Sequence, residues 1–141
     1  MLTIYFSPHA QSTDNEAGRA SGHADVPLTA HGREEAQKLG TDYATYTLDA
    51  IFNSDLQRAS ITGQIAFSAR NIPLFTDARL REFDYGKMTQ CSPKDLALET
   101  RITEPFPDGE SITMAVRRVG DFLREVLRAY DGKTIVVIGH T

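Results

Sequence analysis

Four short apolar runs punctuate a mixed chain: Leu2–Phe6, Ala50–Phe52, Ile72–Phe75 and Thr134–Ile138. None alternates apolar with polar positions, so each predicts a strand buried on both faces. Between most of them the apolar positions recur at helical spacing. Over Ala30–Thr47 they fall at Ala36, Leu39, Tyr43 and Tyr46, with Thr29 placed to cap the first turn. Over Asp55–Ser68 they fall at Leu56, Ala59, Gly63, Ala66 and Phe67, and Ser54 followed three residues later by Gln57 predicts a capping box. The clearest stripe comprises Ala115, Val119, Phe122, Leu123, Val126 and Tyr130, opened by Ser111 and closed by Asp131-Gly132.

Strand, helix, strand, helix and later helix, strand is the order that right-handed crossovers around a parallel sheet produce. The expected fold class is therefore α/β, a three-layer α/β/α domain over residues 1–141 with a mainly parallel central sheet. Ser7–Thr29 and Thr76–Glu110 are too long for plain connectors, and loops of that length in a compact domain are functional or mobile. The sequence holds no repeat, linker or low-complexity tract.

Length and composition narrow the setting. A chain of 141 residues buries about two-thirds of its unfolded surface, enough for a core without disulfides or metal. Its one cysteine, Cys91, cannot form an internal disulfide, so a cytoplasmic location is expected. The formal charge is −4, and the excess acid lies in residues 1–50, which carry three basic and seven acidic groups. No basic face dominates, so no nucleic-acid partner is expected. Met1–Phe6 lacks the charged start and apolar length of a signal peptide, and no apolar run is long enough for a membrane span.

In an open parallel sheet, ligands bind beyond the carboxyl ends of the strands. His9 follows the first predicted strand, Arg58 lies shortly after the second, and His140 ends the fourth. Two imidazoles and a guanidinium thus converge on one sheet edge, and Arg58 falls in a helical first turn that itself favours an anion. Taken singly, each has a plain alternative as a loop-packing histidine or a solvated arginine, and Glu82 and Asp84 sit in a charged loop. Other chemistries lack their spacing. The sequence has no P-loop, no G-x-G-x-x-G and no G-x-S-x-G; Cys91 has no neighbouring histidine; and His9, His23, His31 and His140 have no zinc-ligand pattern. Histidine chemistry on phosphate remains, with no metal or cofactor expected.

These residues resemble the histidine phosphatase superfamily, the phosphoglycerate mutase-like proteins. Pro8-His9-Ala10-Gln11-Ser12 with Asn15 stands where the family opens on Arg-His-Gly. Gly22–Thr29 with Gly32, Ser54–Ala59 with Thr62, Leu80–Gly86, Pro107–Ser111 and Gly139-His140 match further family segments in order along nearly the whole chain. The resemblance implies that His9 is the phosphorylated nucleophile and that Arg58 and His140 bind the transferring phosphoryl group. It implies that Glu82 protonates the leaving oxygen and then activates water. Gln11 and Asn15 match positions lining the phosphate pocket, with Ser12 in a lesser role. Phosphoryl transfer of this kind needs positioning and cations about the equatorial oxygens, and a His9 that attacks as a neutral ring should donate from its other nitrogen to a backbone carbonyl.

Two departures from the family pattern shape the expectations. Pro8 replaces the family's arginine, removing a guanidinium, with Arg81 the nearest replacement by motif; Ala10 replaces glycine and is unstrained only at negative φ. Family members continue past this last histidine with a helix and a strand, whereas the sequence ends at Thr141. The expectation is an uncovered apolar flank, closed by the rest of a longer product or by a partner, most simply a second copy. The leading reading is a metal-independent phosphomonoester hydrolase acting on a small phosphorylated substrate. The alternative is a catalytically weak or inactive relative that serves as a phosphate-binding or interaction domain, with phosphoglycerate mutase behind both. Arg79, Arg81, Lys87, Lys94 and Arg101 in the long second loop would favour extra negative charge on the substrate, unless they simply balance its acids.

Overall fold

Thr134–Gly139, the strongest β-forming run, lies inside the sheet, with Ile135, Val136 and Ile138 fully buried. The computed structural model describes all of residues 1–141. Its elements in chain order are β1 (Thr3–Pro8), α1 (Thr13–Ala17), α2 (Ala30–Asp42), β2 (Ala50–Asn53), α3 (Gln57–Phe67), β3 (Leu74–Thr76), α4 (Ile112–Ala129) and β4 (Thr134–Gly139). The four strands run parallel in the order β1-β4-β2-β3, with Ile4 opposite Ile135 and Ile51 opposite Val136. The expected α/β fold with a parallel sheet is the one observed.

Each face of the sheet has its own core. Leu48, Ile51, Ala66, Phe67, Val136 and Ile138 pack on the α3 side, while Ala50, Phe52, Phe122, Val126, Ile135 and Val137 pack on the α4 side. Fully burying each of these large side chains is worth about 1.5–3 kcal/mol, so the crossovers are held by packing more than by helix propensity. α4 begins as read: the Ser111 hydroxyl accepts from Met114 N–H at 3.3 Å, a cap of about 1 kcal/mol. No helix is long and apolar enough to cross a membrane.

Three local expectations are corrected. The strands are not all buried on both faces: β1 and β3 are the sheet edges, and Phe6 is 55% and Phe75 44% exposed. α2 stops at Asp42 rather than Thr47, because Arg70 takes the carbonyls of Tyr43 and Tyr46 at 2.9 and 2.6 Å and draws that turn off the helix axis. The Ser54–Gln57 capping box does not form. α3 begins at Gln57, whose N–H donates to Asp25 Oδ1 at 2.7 Å, so its cap comes from the distant 22–25 loop.

The two long loops are packed structures. The first contains α1, capped by Ser12; the second is a series of 3₁₀ turns around a small core of Ala20, Tyr85, Leu96 and Phe106. The expected apolar flank is present. It lies beside edge strand β1, where Ile4 and Phe6 face Val116 and Leu123 of α4 across a groove of about 540 Å³.

Candidate active site

His9 leaves β1 without leaving the sheet pattern: its N–H still donates to Gly139 O at 2.9 Å. The next residue is stitched to α3, since Ala10 N–H donates to Thr62 Oγ1 (3.0 Å), which donates onward to Arg58 O (2.7 Å). Ala10 has negative φ, so its methyl is accommodated without strain. Gly32 lets the start of α2 press on this turn, for a Cβ there would lie 2.1 Å from Gln11 O. Pro8 costs the sheet nothing. Thr3 and His9 N–H groups point to β4, so by alternation the missing N–H at position 8 belongs to the open edge.

The His9 ring is fixed by its own neighbour. Nδ1 lies 2.7 Å from Ala10 O, which makes it the donor and leaves Nε2 with its lone pair and no protein partner. The His140 ring sits 5.0 Å away between centroids, tilted by 58°. Both nitrogens of His140 are buried and unpaired, a loss of about 1–3 kcal/mol per group, and a bound anion would offset the share of the one that carries the N–H. Burial, with Arg58 and His9 adding to it, holds the His140 pKa down at about 2. Burial and Arg58 also hold the His9 imidazole below its ordinary value. Both rings are therefore neutral near pH 7, one suited to attack and the other to donate an N–H.

Arg58 is 1% exposed, not a solvated helix residue. Its Nη1 and Nη2 donate to the carbonyls of Ala24 and Gly22, both at 2.8 Å, while Nε is buried without a partner. Gly22 adopts φ of +53° with no room for a Cβ beside Tyr85, and so holds one of those carbonyls in place. Glu82 faces this cation from the second long loop. Its carboxylate accepts from Phe83 N–H at 3.0 Å, and burial pushes its pKa up against the pull of that bond and of Arg58.

His9, Arg58 and Glu82 line one cleft of about 560 Å³, together with Gln11 and Asn15. His140 lines the apolar groove behind it instead, and the two cavities share Glu82, Phe83 and Thr141. Gln11 is held by Thr29 Oγ1, which donates to its Oε1 at 2.7 Å. Asn15 Oδ1 closes the α1 cap, leaving Nδ2 without a partner.

Ser12 is fully buried as the helix cap and does not line the cleft. Arg81 does not stand in for the missing arginine, because Asp55 holds it in two bonds of 2.7 and 2.6 Å. Of the other loop cations expected to favour a charged substrate, Arg79 pairs with Asp77 and Glu125, Lys87 with Asp108, and Arg101 with Pro105 O and Glu104, while Lys94 makes no ion pair and does not line the cleft.

Two cleft residues escape a reading of the sequence alone. Glu35 accepts Gln11 N–H at 2.8 Å and lines the cleft, although Glu34-Glu35 reads as a wet helix face. Arg19 also lines the cleft, in a segment where nothing local distinguishes it from a surface charge.

A family model for the histidine phosphatase superfamily (branch 1) matches residues 4–141. The chain is 29% identical to phosphoserine phosphatase 1 of Hydrogenobacter thermophilus, over 100% of its own length and 72% of that protein's. It is 30% identical to a Citrobacter koseri protein bearing the name "Probable phosphoglycerate mutase GpmB", over 99% of its length and 70% of that protein's. Among solved structures, the alpha-ribazole phosphatase from Shigella flexneri superposes with a TM-score of 0.85 at 28% identity, covering 97% of this chain and 73% of that one.

Proposed function

The chain belongs to the histidine phosphatase superfamily, branch 1, and from that premise we propose that it hydrolyses phosphomonoesters through a phosphohistidine on His9. The observation that carries the reading is the state of His9: Nδ1 is tied to Ala10 O and Nε2 is unpaired, in a cleft that also holds Arg58 and Glu82. In the first step the Nε2 lone pair forms the N–P bond. The P–O bond to the leaving group breaks, and the departing oxygen takes the proton of Glu82. In the second step water attacks phosphorus, its proton passes to the Glu82 carboxylate, and the N–P bond breaks to restore neutral His9.

Arg58 supplies positive charge to the equatorial oxygens, and His140 supplies an N–H from a neutral ring; the reaction written this way needs no metal. Once a phosphate dianion is bound, its charge raises the proton affinity of His140, because it favours the imidazolium over the neutral ring. A cytoplasmic setting is proposed with this reading, in keeping with a lone, unpaired Cys91.

One observation favours the weaker alternative, a relative that binds phosphate with little turnover: Pro8 lines the cleft where the family has a guanidinium. Phosphoglycerate mutase stays behind both, as the reading in which the phosphoryl group returns to product instead of passing to water.

The test is hydrolysis of p-nitrophenyl phosphate beside His9→Ala, with acid-labile phosphate on the protein measured after a rapid quench. Turnover and label that both vanish with His9→Ala support the hydrolase. Binding without label selects the non-catalytic relative, and a rate unchanged by His9→Ala rejects the nucleophile. A chelator should leave the rate unchanged; a large loss on chelation would reject the metal-free mechanism.

A further inference from the structure

Arg118 lies on α4, outside the cleft, and all five of its hydrogen bonds hold the structure around Glu82. Nη1 donates to the carbonyls of Arg79 (2.7 Å) and Arg81 (2.8 Å), and Nη2 donates to Glu82 O (2.8 Å). Nη2 and Nε also grip the two carboxylate oxygens of Glu110, and Glu110 Oε1 accepts Asp84 N–H at 3.0 Å. The pair therefore fixes the backbone on both sides of Glu82. His23 Nε2 adds a second contact to Glu82 O at 2.9 Å.

The Glu82 side chain itself is lightly held. Its carboxylate has one protein hydrogen bond, from the adjacent Phe83 N–H. A buried acid so sparsely tethered owes its position to its backbone, and that backbone is anchored from α4. The anchor uses the guanidinium's five donors in their planar fork; a lysine, with three donors at one point, cannot span three carbonyls and a carboxylate at once.

We infer that Arg118, braced by Glu110, is the positioning residue for Glu82, holding the 79–84 backbone so that the Glu82 carboxyl meets the leaving oxygen of a phosphomonoester. The inference rests on the hydrolase reading of the cleft. Arg118 touches no reacting atom in this scheme and acts only through Glu82. Its effect should therefore depend on how much the leaving group needs a proton. Nitrophenolate departs with little help, whereas an alkoxide must be protonated as it leaves.

The experiment compares kcat/KM for p-nitrophenyl phosphate and for glycerol 2-phosphate in the same preparation of the full chain. A misfolded fraction lowers both values equally, so their ratio reports only the acid. Arg118→Met should cut kcat/KM for the alkyl ester about tenfold or more, within the range a positioned general acid contributes, while the aryl ester stays within about threefold. Arg118→Lys should fall between native and Arg118→Met. Glu110→Gln, which keeps the three carbonyl contacts, should shift the ratio in the same direction by less, and it supplies the answer if Arg118→Met does not accumulate folded.

Equal losses on both esters would make Arg118 a structural brace only and overturn the inference, as would an unchanged ratio in all three variants. Native protein that releases phosphate from neither ester and takes no label on His9 is a different failure. It rejects the hydrolase reading, and this inference falls with it.

Discussion

Two cavities of nearly equal volume, about 560 and 540 Å³, meet at Glu82 and Phe83. In the cleft, His9 Nε2 has no protein partner and the Nε of Arg58 is buried and unpaired. In the groove the walls are Ile4, Phe6, Val116 and Leu123, and of the two arginines present Arg81 is held by the Asp55 carboxylate and Arg118 by Glu110 and three carbonyls. Size does not separate a reactive site from a hydrophobic one. Unfinished hydrogen bonding does, because a buried polar group without a partner is costly until a ligand supplies one; the groove's exception is His140, whose two buried, unpaired ring nitrogens lie where the groove borders the cleft. Edge strand β1 has different neighbours on its two faces: Tyr5 packs edge-on against Tyr43 and Tyr46 at ring separations of 5.8 and 5.3 Å, while Ile4 and Phe6 border the open groove.

The sharpest way to break the comparison is to make the cleft's acid unable to ionise. Glu82→Gln should lower kcat/KM for an alkyl phosphate by about 10²–10⁴, the usual range for a general acid. The pH profile gives the sign. The reactive form has His9 neutral and Glu82 protonated; the His9 pKa is lowered from its ordinary value and the Glu82 pKa is raised. The rate should fall at high pH as Glu82 loses its proton, and at low pH as His9 gains one, placing the optimum on the acid side of neutral. In Glu82→Gln the alkaline limb contributed by Glu82 disappears and the acid limb stays. An alkaline limb unchanged in the variant would show that Glu82 does not hold the proton.

Pro8→Arg sharpens the comparison from the other side by adding a cation to the cleft. The substitution suits the backbone, because position 8 lies on the sheet edge where a restored N–H meets no neighbouring strand. Loss of one preorganised donor costs ~10²–10³ in rate in related chemistry, so a gain of about tenfold is expected in hydrolysis of p-nitrophenyl phosphate. No gain would mean that Pro8 is not what limits the cleft.

Features set by adjacent residues were legible in the sequence. The runs that became β2 and β4, the stripe of α4 with its Ser111 cap, and the placing of His9, Arg58 and His140 just beyond strand ends all follow from local order and the rules of parallel sheets. What was not legible depends on residues distant in the chain. Asp25 caps α3 in place of Ser54, Arg70 ends α2 early, and Asp55 takes Arg81 out of contention for the phosphate. Glu35 and Arg118 look like wet helix positions until the fold brings them against Gln11 and the Glu82 backbone. The exposure of β1 was hidden for a related reason: an apolar run shows that a strand can be buried, while strand order decides whether it is.

The smallest expected effect tests the groove itself. Val116 is 64% exposed on the groove wall, so little apolar surface is lost from water when it becomes serine. Val116→Ser should therefore move the Tm by less than about 4 °C and leave kcat/KM for p-nitrophenyl phosphate within about twofold. Its visible consequence should be weaker binding of a hydrophobic dye, because the substitution removes part of a contiguous exposed apolar patch. A loss of turnover approaching that of Glu82→Gln would instead mean that the apolar wall of the groove, and not only Glu82 and His140 at its border with the cleft, is part of the working site.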